Sequence, residues 1–174
     1  MVLIFKTIKI ESNLELPYNL IDIRDGEKRF MFSFKCFDDN QTEYSVQAGG
    51  VTGKFEVTYK CCGIDSRFEC DITIGNLYYF YIELENVYEC LPGIEPVAVL
   101  KNYGETLNRT NMTFTFDKLG HCNVSGCFKN ASDGYNSGII FELQIDMSYI
   151  YDILTSLKKF FDELKRIQGH SEFY

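Results

Sequence analysis

Basic residues are missing from one long stretch of this chain: between Arg67 and Lys101 there is no Lys or Arg. Over all 174 residues there are only three prolines and two histidines. No run approaches the roughly 18–20 apolar residues needed to span a bilayer. Each shortage excludes something. Scarce proline, with no Ser/Gly/Pro-rich stretch, leaves no linker, so residues 1–174 are expected to form one domain. The apolar run Val2–Phe5 is short, Lys6 and Lys9 follow it, and no small-residue cleavage site comes next, so no export signal is expected. A cytoplasmic protein without membrane association follows. The net charge of −8 and a pI near 4.8, without a clustered Lys/Arg run, lack the basic stripe that phosphate neutralisation needs. No nucleic-acid partner is therefore expected.

What the chain does have is material for a core. Hydrophobic residues make up 45% and aromatics 16%, with 15 Phe and 12 Tyr, and disordered chains are poor in these types. Seven cysteines (Cys36, Cys61, Cys62, Cys70, Cys90, Cys122, Cys127) are an odd number in a chain large enough to do without staples, which argues against a disulfide framework. Cys36, Cys61, Cys70 and Cys122 fall on the apolar phase of their segments, where a thiol acts as a small hydrophobe. Cys62 and Cys127 are then the exposed thiols. The sequons at Asn40, Asn108, Asn111, Asn123 and Asn130 read as polar turn and strand residues in a chain that is not exported.

Period-two alternation fills the first half. Phe30, Phe32, Phe34 and Cys36 alternate with Met31, Ser33 and Lys35, and a turn follows at Asp38–Gln41. Tyr44, Val46 and Ala48 form a second run, Phe55, Val57, Tyr59 and Cys61 a third, and Phe68, Cys70, Ile72 and Ile74 a fourth. Such patterns describe antiparallel strands with one buried and one wet face. The period then changes. Leu77, Phe80, Leu84, Val87 and Leu91 recur at three and four, which predicts a helix over 76–90, capped by Asn76 and stopped by Pro92-Gly93. Val97–Lys101, Met112–Phe116, Cys122–Phe128 and Ile139–Ile145 follow as strands, with a turn at Asp117–Gly120. A long amphipathic helix over 147–168, capped by Asp146 or Ser148 and ended by Gly169, closes the chain. The predicted class is α+β, with both helices on one face of a mostly antiparallel sheet. No sequence repeat is visible.

The stretch without basic residues holds Glu69, Asp71, Glu83, Glu85, Glu89 and Glu95. On the helix, Glu85 and Glu89 are a like-charged i,i+4 pair, and Glu89 sits near the negative end of the macrodipole. Selection for stability alone would place Lys there. Tyr78, Tyr79, Tyr81 and Tyr88 lie close by. Tyrosine among carboxylates suits a basic protein partner, so Tyr79, Glu83, Glu85 and Glu89 are candidate partner-binding residues. The competing account is an acidic stretch with half-buried tyrosines and no partner.

Catalytic machinery is not legible. No G-x-S-x-G, Walker, H-E-x-x-H or G-x-G-x-x-G pattern occurs. His121 and Cys122 are adjacent on a strand and so face opposite ways, which reads as a turn-exposed histidine beside a core cysteine. Cys61-Cys62 has no second C-x-x-C to complete four zinc ligands, and Asp38-Asp39 suits a turn. No catalytic residue, cofactor or metal ligand is assigned.

The order of the second half does carry a resemblance. Met112-Thr-Phe-Thr-Phe116 turns at glycine into Gly120-His-Cys-Asn-Val-Ser-Gly126. Ile139-Ile-Phe-Glu-Leu-Gln-Ile145 then runs directly into Asp146-Met-Ser-Tyr-Ile150 and the final helix. This layout, with the helix carrying Tyr78–Glu85 upstream, resembles the WapI-type immunity proteins of contact-dependent growth inhibition and related polymorphic toxin systems. The likeness spans roughly residues 68–166 and lies in layout, without an invariant motif; the cysteine content departs from it. It implies a non-enzymatic bacterial protein, expected as a monomer, that occludes a cognate toxin C-terminal domain, often a nuclease. Two other readings stay open: a small-ligand-binding or regulatory domain with Tyr and Phe lining a pocket on the sheet, and a thiol sensor using Cys61 and Cys62.

Overall fold

A computed structural model describes residues 14–38, 51–90, 96–101, 110–130, 134 and 136–168. Its elements are β1 (Tyr18–Asp25), β2 (Lys28–Phe37), β3 (Thr52–Cys61), β4 (Ile64–Thr73), α1 (Ile74–Glu89), β5 (Val97–Lys101), β6 (Thr110–Phe116), β7 (Cys122–Lys129), β8 (Gly138–Ile145) and α2 (Met147–Gln168). The class is α+β, as the alternation and the two helical stripes predict. The runs at 44–48 and 91–93 lie outside the described residues.

The strands do not form one sheet. They form two antiparallel four-stranded sheets, ordered β1-β2-β3-β4 and β5-β6-β7-β8. Every neighbour in each sheet is also the neighbour in sequence, and each sheet is followed by one helix. The molecule is therefore two successive ββββα units, a structural repeat that leaves no trace as sequence identity. The single-sheet expectation failed because period two says which face of a strand is wet, but not which strands share a ladder.

Buried aromatic side chains weld the two units together. Phe30 of β2 stacks on Phe141 of β8 at 4.3 Å between centroids and meets Phe128 of β7 at 5.5 Å. Further along β2, Phe34 meets Phe160 of α2 at 5.0 Å. The helices are exchanged between units. α1 follows the first sheet but packs on the second, with Phe80 against Phe114 at 5.4 Å. α2 follows the second sheet but packs on the first, where the Tyr18 hydroxyl of β1 donates to the Ser156 carbonyl. Tyr78 and Tyr81 of α1 then close the core against Phe161 of α2.

Local chemistry explains the departures from the predicted boundaries. α1 begins two residues earlier than expected, because Thr73 and not Asn76 is the N-cap: the Thr73 hydroxyl accepts from the Asn76 backbone N–H at 3.3 Å. Asn76 itself is buried in the first turn. Strand β1 escapes a period-two reading because its ladder shifts between Asn19 and Ile21, which buries both Leu20 and Ile21. A second irregularity, between Phe34 and Cys36, reverses the phase at the end of β2. Phe37 packs against the core and Cys36 is exposed, so Cys36 is not the core thiol its position suggests. Cys61, at the end of β3, is half-buried. Only Cys70 and Cys122 are core cysteines, and burial raises both thiol pKa values, that of Cys122 to about 12.

Candidate functional site

The helix α1 presents the four residues singled out by charge and spacing in unequal ways. Tyr79 is 65% exposed and Glu89 is exposed, and neither is hydrogen-bonded or ion-paired to any described residue. Glu85 is half-buried, where its carboxylate accepts from the Tyr81 hydroxyl at 2.8 Å. Burial first, and then this carboxylate, raise the Tyr81 pKa. Glu83 is engaged differently, its Oε2 accepting from the backbone N–H of Val99 at 3.0 Å. Val99 lies on β5, an edge strand of the second sheet, so Glu83 takes up an otherwise open edge donor. The other tyrosines are not a surface cluster. Tyr81 is buried, Tyr78 packs edge-on against Phe161, and Lys165 lies over its ring at 5.9 Å.

The acidic stretch of sequence divides in space. Glu69 pairs with Lys35. Asp71 on the same strand is half-buried, and burial, with Asp38 as the second cause, raises its pKa against the opposing pull of Lys54. These charges belong to the outer face of the first sheet, a lattice of ion pairs that also includes Arg29–Asp22 at 2.6 Å, Lys60–Asp65 at 2.6 Å and Arg67–Glu56 at 2.7 Å. What remains on α1 is divided between two sides of the helix, with Glu83 fixed beside β5 and Glu85 and Glu89 one turn apart on another side.

β5 begins a surface of the opposite character. The outward residues of the second sheet form three rows across all four strands: Val97–Thr115–Asn123–Gln144, Val99–Thr113–Ser125–Glu142 and Lys101–Asn111–Cys127–Ile140. Within these rows only Lys101 and Glu142 are charged. Ile140 is 85% and Val97 45% exposed. Apart from Gln144, the remaining members are short or β-branched, so they lose little side-chain entropy when covered, and interface cores are depleted of charge in the same way. The alternation of β6 and β7 already carried this signal, since Thr113, Thr115, Asn123 and Ser125 stand where β3 and β4 place Lys, Glu, Arg and Asp. Sequence reasoning followed the charges and missed the face that has few of them.

Both edges of this sheet receive side chains. At β8 the backbone N–H of Gln144 donates to Asp25 Oδ2 at 3.2 Å, and the carbonyl of Glu142 accepts from Lys28 Nζ at 3.2 Å. Both partners flank the β1–β2 turn. With β5 held by Glu83, the sheet offers its flat face more readily than its edges.

The histidine–cysteine neighbours do not make a nucleophile. Cys122 is buried while His121 is exposed in the turn, its Nδ1 2.9 Å from Asp117 Oδ2. That contact, with the backbone N–H groups of His121 and Leu119, holds the Asp117 carboxyl below the usual carboxylate range. No cluster of three or more His, Cys, Asp or Glu suited to a metal ion exists among the described residues. A groove of about 450 Å³ is lined by Leu14, Thr155, Lys158, Lys159, Asp162, Glu163 and Arg166. It lies along α2 and contains no aromatic side chain. No described helix is long and apolar enough to cross a membrane.

Comparison with known proteins adds little to this geometry. No family model matches the chain, and no curated protein matches it. Among solved structures the chain is similar to a plant transcriptional regulator, PBF-2, at 10% identity and a TM-score of 0.44, over 85% of this chain and 90% of that one. At that level the likeness is one of loose layout alone.

Proposed function

We propose that this protein acts by docking a protein partner on the outer face of its second sheet, with Tyr79, Glu83, Glu85 and Glu89 of α1 steering the approach. The observation that carries the reading is the near-absence of charge across three full rows of an open sheet, in a molecule whose other sheet is covered with ion pairs. An open sheet face that binds nothing is normally kept wet by charged side chains. The acidic border favours a partner with a basic surface, since opposite potentials raise association rates and suppress wrong partners.

The partner we propose is the toxin domain of a contact-dependent or polymorphic toxin system, which this chain would occlude without chemistry. The layout of residues 68–166 supports that identification, and a nuclease toxin with a basic cleft fits the acidic border. The small-ligand alternative has less support, because most of the Phe and Tyr side chains available to line a pocket are packed into the core instead.

The test is survival on co-expression with the C-terminal domain of a large secreted protein encoded next to this chain's gene, the arrangement the proposal requires. The wild-type chain should protect. Thr115→Arg combined with Ile140→Arg, both exposed on the uncharged face, should abolish protection while the protein remains folded. Ile64→Arg, exposed on the first sheet, should not. Protection that survives the double substitution removes the docking face from the proposal, and a wild-type chain that fails to protect removes the toxin.

A further inference from the structure

The turn joining β3 to β4 is Cys62-Gly63, both at positive φ (50° and 81°), the two-residue geometry that matches the twist of flanking strands. Glycine is at ease there. Cysteine is not, since its Cβ disfavours the left-handed region, and Asn or Gly would fill the position with less strain. Cys61 ends β3 immediately before it. The tip of this hairpin therefore carries two neighbouring thiols, Cys62 exposed and Cys61 half-buried, with their sulfurs 3.4 Å apart. Arg29 pairs with Lys60, so the β1–β2 turn ends on the same side of the sheet. Lys28, which follows that turn, lowers the cost of a thiolate at Cys62, while the adjacent Cys61 raises it more. The Tyr59 hydroxyl is engaged with Cys61, and burial, followed by that contact, pushes its pKa up to about 12.

Two chemistries compete for such a pair, and distance separates them. A disulfide needs sulfurs about 2.05 Å apart on residues whose Cα atoms are usually at least about 4.4 Å apart. Neighbouring residues across a trans peptide offer only about 3.8 Å, so closure would pull both sulfurs in against the backbone. Two thiolates bound about 2.3 Å from one common centre, at an angle of roughly 95–110°, stand about 3.4–3.8 Å apart. A linear two-coordinate centre would need about 4.6 Å on the same bond length. The sulfurs of Cys61 and Cys62 already stand at the bent, bidentate spacing.

We propose that the Cys61–Cys62 hairpin tip is a bidentate thiol site for a thiophilic centre of bent geometry, of which trivalent arsenic is the representative. The reaction with an organoarsenic oxide balances without any redox change. Each thiol gives up its proton, two S–As bonds form, the As=O bond is lost, and the oxygen leaves as one water. The rest of the molecule supplies a rigid hairpin that keeps both sulfurs on the same side, so the second S–As bond forms intramolecularly.

Phenylarsine oxide added to the reduced full-length protein tests this. The wild-type chain should take up one phenylarsenic group per molecule by intact mass, lose two titratable thiols, and retain the group against excess glutathione. Cys61→Ser and Cys62→Asn should each weaken retention about 100-fold or more, the usual gain from making a second contact intramolecular. Asn tolerates the positive φ at position 62, so its effect reports the lost ligand and not a lost turn. Cys36→Ser and Cys90→Ser, which remove exposed thiols elsewhere, should leave retention unchanged. Retention by either single-thiol tip variant at the wild-type level overturns the proposal, as does a wild-type chain whose arsenical is stripped by glutathione as fast as theirs.

Discussion

Phe30 stacks across the two units, on Phe141 at 4.3 Å between ring centroids, and its removal should show how much that contact is worth. Its ring is fully buried between Phe128 and Phe141. Phe30→Ala should cost about 3–5 kcal/mol of stability in urea unfolding, combining lost transfer energy with a cavity. A cost below about 1 kcal/mol would mean the site collapses freely, which close packing does not allow. On the surface, Asp117 offers a titration whose sign can be worked out. Its folded pKa is depressed, with His121 as the leading cause, so its contribution to stability is present above the unfolded pKa and lost as pH falls through the folded value. Its carboxyl carbon should titrate by NMR below the free-aspartate midpoint, and His121→Ala should move it upward. Much of this scale was legible in the sequence: the alternating phenylalanines, the Asp117–Gly120 turn and the exposed His121 follow from residue type and spacing. Cys36 did not, because the backbone irregularity before it is a property of strand pairing and leaves no mark in composition.

At the scale of elements, the carboxylates of α1 do different jobs, and a single charge-reversal experiment on all of them would confuse the two. Glu83 serves the edge of β5. Glu83→Ala should leave the Val99 N–H open to solvent and speed its hydrogen exchange about tenfold, the equivalent of roughly 1.4 kcal/mol for a hydrogen bond to a charged group. Exchange at the buried neighbour Leu100 should change far less. Glu89 serves no described neighbour, so Glu89→Lys is the cleaner probe of steering. It should slow association with the proposed partner several-fold at low salt and have little effect at high salt, where exposed charges are screened. Helix positions were readable to within two residues at the start of α1, because the 3.6 periodicity is strong there. The cap was misassigned to Asn76 since Thr73 also ends a strand, and a sequence pattern does not show which of two nearby polar residues turns its side chain back onto the first turn. The uncharged face of the second sheet was present in the alternation of β6 and β7, but its extent depends on four strands lying in register, which only the ladder reveals.

For the whole molecule, the exchange of helices decides how it should unfold. α1 finds its packing on the sheet of the other unit, and so does α2, so neither ββββα half retains its own cover when the other is lost. Heat or urea should therefore give one transition, with far-UV circular dichroism and tyrosine fluorescence superimposing. Two separated transitions would show that each half is stable alone. The same arrangement bears on how the chain is made. When the first ninety or so residues have left the ribosome, Phe80 and its apolar neighbours on α1 have no sheet to lie against until β5 and β6 follow. The nascent half must then wait with a sticky helix exposed, so slow synthesis across the middle of the message would raise the demand for chaperones, whereas uninterrupted translation would shorten the wait.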